Sequence, residues 1–188
     1  MRLAIYGGTF DPIHNAHLAV AKAAADRWEL QKVLLIPAGL PPHKFSGTRA
    51  SYADRYRMVE LACIEDCRFQ ASLLEAGEFR SYSIHTIQKV AANLTSADEL
   101  YFIIGADAFA EIETWYRWKE VMEAVRFIVV SRPGHTYTIP AGATVHCLDD
   151  LDLPVSSSAI RARIALGFID VPVPATVLHY IEIRRLYR

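Results

Sequence analysis

The chain has 188 residues, inside the range of about 100–200 residues for one domain, and is long enough to bury a sizeable core. Hydrophobic residues at 52% and charged residues at 22% exclude a disordered chain, and nine Gly with nine Pro exclude a collagen-like or Pro-rich fibre. A formal charge of −1 supplies no whole-chain basic field for nucleic acid, so any anion must be held locally.

In chain order, Arg2–Tyr6 reads as a buried strand ending at Gly7-Gly8, and the Ala-rich stretch His17–Trp28 as a helix. Lys32–Ile36 is a second strand, stopped by Pro37, and 38–51 is a long loop carrying Gly39, Pro41, Pro42 and Gly47. Helices are expected over Tyr52–Glu65 and Ser83–Asn93, with a short strand at Arg68–Ala71 between them. Leu100–Ile104 is a strand ending at Gly105, followed by a helix through about Glu123. Strands at Arg126–Val130 and Thr144–Leu148 precede helices at Ser157–Leu166 and Pro174–Arg184.

This alternation indicates βαβ units: a doubly wound, mainly parallel α/β sheet with helices on both faces, one domain over 1–188. No apolar run approaches the roughly 18–20 residues that cross a bilayer, and the N-terminus shows no export signal; a soluble, cytoplasmic protein without a membrane partner is expected. Cys63, Cys67 and Cys147 lack the companions of a zinc site and read as reduced, mostly buried thiols, so no protein-held metal is expected.

Parallel sheets of this kind bind ligands beyond the carboxyl ends of their strands, where the strand order switches. Three strand ends carry Gly or polar residues there: Gly7-Gly8-Thr9, Gly105-Ala106-Asp107 and Ser131-Arg132-Pro133-Gly134. The first continues Gly7-Gly8-Thr9-Phe10-Asp11-Pro12-Ile13-His14-Asn15-Ala16-His17. Paired glycines let a ligand approach the backbone, and a helix start attracts phosphate. His14 and His17, three apart, share a face on a helical first turn, where two imidazoles can donate to phosphate oxygens. Alone, the pair also fits a partial metal site or an ordinary helix start. Neither GxGxxG nor GxxxxGK[ST] occurs, so the cradle is neither a dinucleotide fingerprint nor a P-loop.

The stretch resembles the signature of the HxGH-motif nucleotidyltransferase superfamily. Its expected second half stands late in the chain, Val155-Ser156-Ser157-Ser158-Ala159-Ile160-Arg161, similar to the family's ISSTxIR motif. Hydroxyls there can cap a helix or bind phosphate, and Arg161 offers a fork to the same anion. Between the two, Pro41-Pro42-His43-Lys44, Ser81-Tyr82-Ser83-Ile84, Gly105-Ala106-Asp107, Trp115-Tyr116-Arg117-Trp118 and Arg132-Pro133-Gly134 resemble the bacterial nicotinate-nucleotide adenylyltransferase family.

The resemblance implies adenylyl transfer from ATP to nicotinate mononucleotide, giving deamido-NAD and pyrophosphate in NAD biosynthesis, with Mg²⁺ carried mainly by phosphate and water. It implies His17 on the α-phosphate, with His14, the Ser156, Ser157 and Ser158 turn and Arg161 on the departing phosphates. ATP would also meet Gly7, Gly8, Thr9, Phe10, Gly105 and Asp107. The acceptor side would comprise Lys44, Tyr82, Ser83, Trp115, Tyr116 and Arg132, with backbone N–H groups near Ser83 and Tyr116 on the nicotinate carboxylate. Lys44 reads otherwise as a solvated loop lysine, Trp115 as core packing, Asp107 as a helix N-cap. Three positions depart from the family pattern: Ala16 for Gly, Ser158 for Thr, and His85 where Asp is common, its role open. The pattern leaves monomer or homo-oligomer undecided. Phosphopantetheine adenylyltransferase shares the end motifs but lacks the PPHK and Trp115-Tyr116 segments. A non-catalytic nucleotide sensor would lack one of the histidines or Arg161.

Overall fold

The computed structural model describes residues 1–39, 48–77, 81–131, 137–151 and 153–188. Six strands, β1 (Arg2–Gly8), β2 (Lys32–Pro37), β3 (Phe69–Ala71), β4 (Glu99–Gly105), β5 (Arg126–Val130) and β6 (Thr144–Leu148), form one parallel sheet in the order β3-β2-β1-β4-β5-β6. Among the described residues seven helices connect and follow them: α1 (Asn15–Arg27), α2 (Tyr52–Cys63), α3 (Ser83–Ala91), α4 (Ala106–Ala110), α5 (Trp118–Ala124), α6 (Ser157–Ala165) and α7 (Ala175–Arg184). The doubly wound Rossmann-like sheet expected from the alternation is the observed architecture.

Strand periodicity divides the core in two. Successive side chains point to opposite faces. Ala4, Tyr101, Ile103 and Ile128 therefore pack with α1, α2, α6 and α7, whereas Leu3, Ile5, Phe102, Ile104, Phe127 and Val129 pack with α3, α4 and α5. Burial on both faces explains why these strands are runs of apolar residues rather than alternations. Among the described residues no helix is long and apolar enough to cross a membrane.

Three expectations need correction. The helix expected from Gly105 to Glu123 is broken: α4 ends at Ala110, a 3-10 turn spans Ile112–Thr114, and Arg117 takes a left-handed conformation (φ 55°) before α5. β-Branched and aromatic residues there are indifferent helix formers, and the break lets Ile112 and Trp115 turn back onto the sheet core. Helix α1 begins two residues before His17, with His14 outside it at the N-cap in extended conformation (φ −147°), so the histidines do not share a helical turn. The thiols are not mostly buried: Cys67 and Cys147 are exposed and Cys63 is half-buried.

Candidate active site

Beyond β1 the order runs outward to β2 and β3, and beyond β4 to β5 and β6, so the switch lies between β1 and β4. Gly7-Gly8 and Gly105 end these two central strands. A Cβ at Gly7 or Gly105 would meet nothing within 4 Å, so both strand ends border open space. Gly8 is constrained differently, since its Cβ would stand 2.8 Å from the Phe10 ring. Phe10 is buried at positive φ (49°), which an aromatic residue adopts only where packing enforces it. Its ring meets Tyr6 edge-on at 5.8 Å and His17 at 5.0 Å.

The His14 and His17 rings stack with centroids 3.6 Å apart. The His14 backbone N–H donates to His17 Nδ1 at 3.2 Å, which leaves the neutral ring's proton on Nε2. His14 Nδ1 is buried with no hydrogen-bond partner among the described residues. A buried orphan of that kind in a native fold calls for a reason. Burial lowers the His14 pKa to about 4 and holds His17 well below the usual imidazole value, with His14 beside it acting in the same direction. Both imidazoles are therefore neutral at pH 7.

Across the same loop stands the start of α6. Ser156 is its N-cap, accepting from the Ala159 N–H at 3.2 Å. Ser157 donates to the Pro12 carbonyl at 3.0 Å, and Arg161 Nη1 to the Asp11 carbonyl at 2.7 Å. Ser158 accepts from Arg161 Nη2 at 3.3 Å. The two motifs, about 145 residues apart, are thus joined directly. Asp107 lies exposed in the first turn of α4, whose N-cap is Gly105 and not Asp107.

A second cluster lies at the start of α3. Tyr82 is its N-cap, Ser83 its first residue, and the Tyr82 and Tyr116 rings are 4.8 Å apart. His85 completes an aromatic triangle, 5.8 Å from Tyr82 and 5.9 Å from Tyr116. Trp115 is half-buried, edge-on to Phe102 at 6.2 Å, and belongs in part to the core. Arg117 forks onto Glu120. Ala16 is buried at the second position of α1. Lys44 and Arg132, both expected on the acceptor side, lie outside the described residues.

Sequence reasoning passed over the residues that hold this loop from beneath. Arg55 on α2 is 1% exposed, and its Nη1 donates at 2.8 Å to the carbonyls of both Thr9 and Ala38. The Asp11 carboxylate accepts from the N–H groups of Arg49 (2.7 Å) and Ala50 (3.1 Å) and from the Tyr187 hydroxyl (2.7 Å). Gly39, whose N–H donates to Ser81 Oγ at 3.1 Å, passes so close to residue 75 that a Cβ would stand 2.4 Å from the Glu75 carbonyl oxygen. Nothing in the sequence singled out Arg55, since α2 also carries Arg57, which lies at the surface against Glu60.

Two imidazoles stacked at the switch point of a doubly wound parallel sheet define an α/β protein with a candidate ligand crevice there, and comparison with known proteins narrows that class. The model of the cytidylyltransferase-like family matches residues 5–163. The chain belongs to that family and, within it, to the nicotinate-nucleotide adenylyltransferases. It is 59% identical over 187 residues to a probable nicotinate-nucleotide adenylyltransferase of Solibacter usitatus, with 100% of each chain covered. It is 39% identical over 213 residues to one from Citrifermentans bemidjiense, covering 100% of this chain and 98% of the relative. The fold matches that of Plasmodium falciparum nicotinic acid mononucleotide adenylyltransferase complexed with NaAD (TM-score 0.76, 17% identity, covering 99% and 97% of the two chains).

Proposed function

We propose that the protein transfers the adenylyl group of ATP to nicotinate mononucleotide, producing deamido-NAD and pyrophosphate. An oxygen of the acceptor phosphate forms a bond to the α-phosphorus. The bond from that phosphorus to the bridging oxygen of the β-phosphate breaks, and its electron pair leaves with pyrophosphate. The acceptor oxygen is already ionised, so the step needs neither a general base nor a protein nucleophile. Positioning and stabilisation of phosphate charge remain for the protein to supply.

The observation that carries the reading is the His14–His17 stack, with its fixed Nε2–H on His17 and orphaned Nδ1 on His14 at the switch-point loop. In the proposed arrangement His17 donates to the α-phosphate while His14 and the α6 start, with Arg161, meet the leaving phosphates. Tyr82, Ser83, Trp115 and Tyr116 form the acceptor subsite, joined by Lys44 and Arg132. Mg²⁺ would enter with the substrate as MgATP, held mainly by phosphate and water; among the described residues no group of three or more His, Cys, Asp or Glu comes together. One chain over 1–188 carries both subsites, in the cytoplasm where the nucleotides are.

Incubation of the protein with ATP, Mg²⁺ and nicotinate mononucleotide should release pyrophosphate and form a dinucleotide of the expected mass in equal amounts. Pyrophosphate without dinucleotide, or turnover only with a phosphopantetheine acceptor, would refute the assignment.

A further inference from the structure

The loop between β1 and α1 is held by a residue 176 positions away in the sequence. Tyr187 lies past the end of α7, and its hydroxyl donates to Asp11 Oδ1 at 2.7 Å. The chain bends sharply to make that contact. Helix α7 closes on Arg185 in left-handed conformation (φ 51°), the Leu186 N–H turns back to the Ile181 carbonyl at 3.0 Å, and Tyr187 is again left-handed (φ 64°). Residues with a side chain take that conformation rarely and keep it where their surroundings over-determine it. For Tyr187 the surroundings include a carboxylate that is itself only 4% exposed. Burial, with the Asp11 charge acting in the same direction, raises the Tyr187 pKa and keeps the hydroxyl a donor.

Asp11 passes the constraint on. Its carboxylate accepts from Tyr187 and from the N–H groups of Arg49 and Ala50, while its backbone carbonyl accepts from Arg161 Nη1 at 2.7 Å. The other end of the Arg161 guanidinium, Nη2, donates to Ser158 at 3.3 Å. A guanidinium is planar, so two bonded nitrogens fix the plane of the fork and the direction of its remaining donors. Arg161 is the cation that the functional reading places on the leaving phosphates.

We propose that Tyr187 is a positioning residue for the leaving phosphates: its hydroxyl holds Asp11, and the Asp11 carbonyl aims the Arg161 fork. The inference rests on the adenylyl-transfer reading above. It deepens that reading by bringing a residue past the last helix into the geometry of the transfer step. Tyr187 acts through Arg161 and needs no contact with substrate of its own.

A double-mutant cycle tests the connection. kcat/KM for ATP is measured at saturating nicotinate mononucleotide in the wild type, Tyr187→Phe, Arg161→Ala and the double variant, with a thermal melt of each. Tyr187→Phe removes one hydroxyl and leaves the ring. It should lower kcat/KM for ATP about tenfold, the low end for losing a hydrogen bond to a charged group. KM for nicotinate mononucleotide should stay within about twofold of wild type, since no acceptor contact is lost. In the Arg161→Ala background the same change should add almost nothing, because the group it aims is gone. A merely structural role would lower Tm and cost the same factor in both backgrounds. Asp11→Asn gives up the charge at the other end of the bond, should show the same dependence on Arg161, and decides alone if Tyr187→Phe does not fold. Unchanged kcat/KM for ATP, or equal losses with and without Arg161, overturns the proposal. A wild type that forms no dinucleotide would instead overturn the functional reading, and this inference with it.

Discussion

His17 shows how one side chain is prepared by its neighbours. Its Nδ1 is occupied by the His14 N–H, its ring is held between Phe10 and His14, and its remaining donor is fixed on Nε2 without a positive charge. His17→Ala should lower kcat by about 10²–10³, the usual loss for one transition-state donor. Tm should change little, because the ring is only partly buried and contributes little to the core. Steady-state kinetics beside a thermal melt check both halves. The burial of His14 makes stability depend on pH. Above the ordinary imidazole value of 6.5, neither folded nor unfolded chain is charged at His14 and the group contributes no slope. Between 6.5 and about 4 the unfolded chain binds a proton that the folded chain refuses, so stability falls as pH falls. The slope is at most about 1.4 kcal/mol per pH unit. Urea melts from pH 7.5 to 5 should show this decline, and His14→Asn should make it shallower by the His14 share, leaving that of His17.

At the scale of elements, β2 meets α3 through Gly39. Its backbone donates to Ser81, and a methyl group there would collide with the Glu75 carbonyl. The obstruction is backbone, which cannot rotate away as a flexible side chain would. Gly39→Ala should therefore cost roughly 1–3 kcal/mol, the range for forced overpacking, and raise KM for nicotinate mononucleotide more than for ATP. Denaturant unfolding and separate KM measurements check the two effects. The segment after α4 shows the same scale at work. A continuous helix through Glu123 would carry Tyr116 away on its own axis, whereas the 3-10 turn and the left-handed Arg117 bring it beside Tyr82.

At the scale of the whole molecule, the proposed acceptor subsite lies where the start of α3 meets the break before α5, at the Tyr82–Tyr116 contact. Backbone N–H groups near Ser83 and Tyr116 are donors only, so they match a carboxylate and oppose an amide NH₂. An unpaired buried group costs about 1–3 kcal/mol and a lost charge-assisted bond about 1.5–3 kcal/mol. Since each 1.4 kcal/mol is tenfold, nicotinate mononucleotide should be preferred over nicotinamide mononucleotide by at least about 10²-fold in kcat/KM. Arg117 is engaged with Glu120, so it need not supply this preference. Arg117→Ala should keep the ratio within about threefold of wild type, since losing a surface ion pair changes little. Comparing kcat/KM for both acceptors in both proteins decides it.

Much of this was legible in the residues themselves. The strands could be placed because their two-faced burial makes them apolar runs bounded by Gly and Pro, and Arg126–Val130 and Thr144–Leu148 match to the residue. The loop after β1 and the Ser-Arg helix start stood out as a pair because phosphate chemistry would demand such residue types at short spacing, and the structure joins the two directly. Tertiary structure alone decided the rest. Whether His14 lay inside or outside α1, where the chain broke after Ala110, and which carbonyls Arg161 and Ser157 would hold depended on partners far away in sequence. The same holds for Arg55, Asp11 and Tyr187. Local spacing carries no record of contacts between residues 46 or 176 positions apart, and these arise only when the sheet brings its strand ends to one edge.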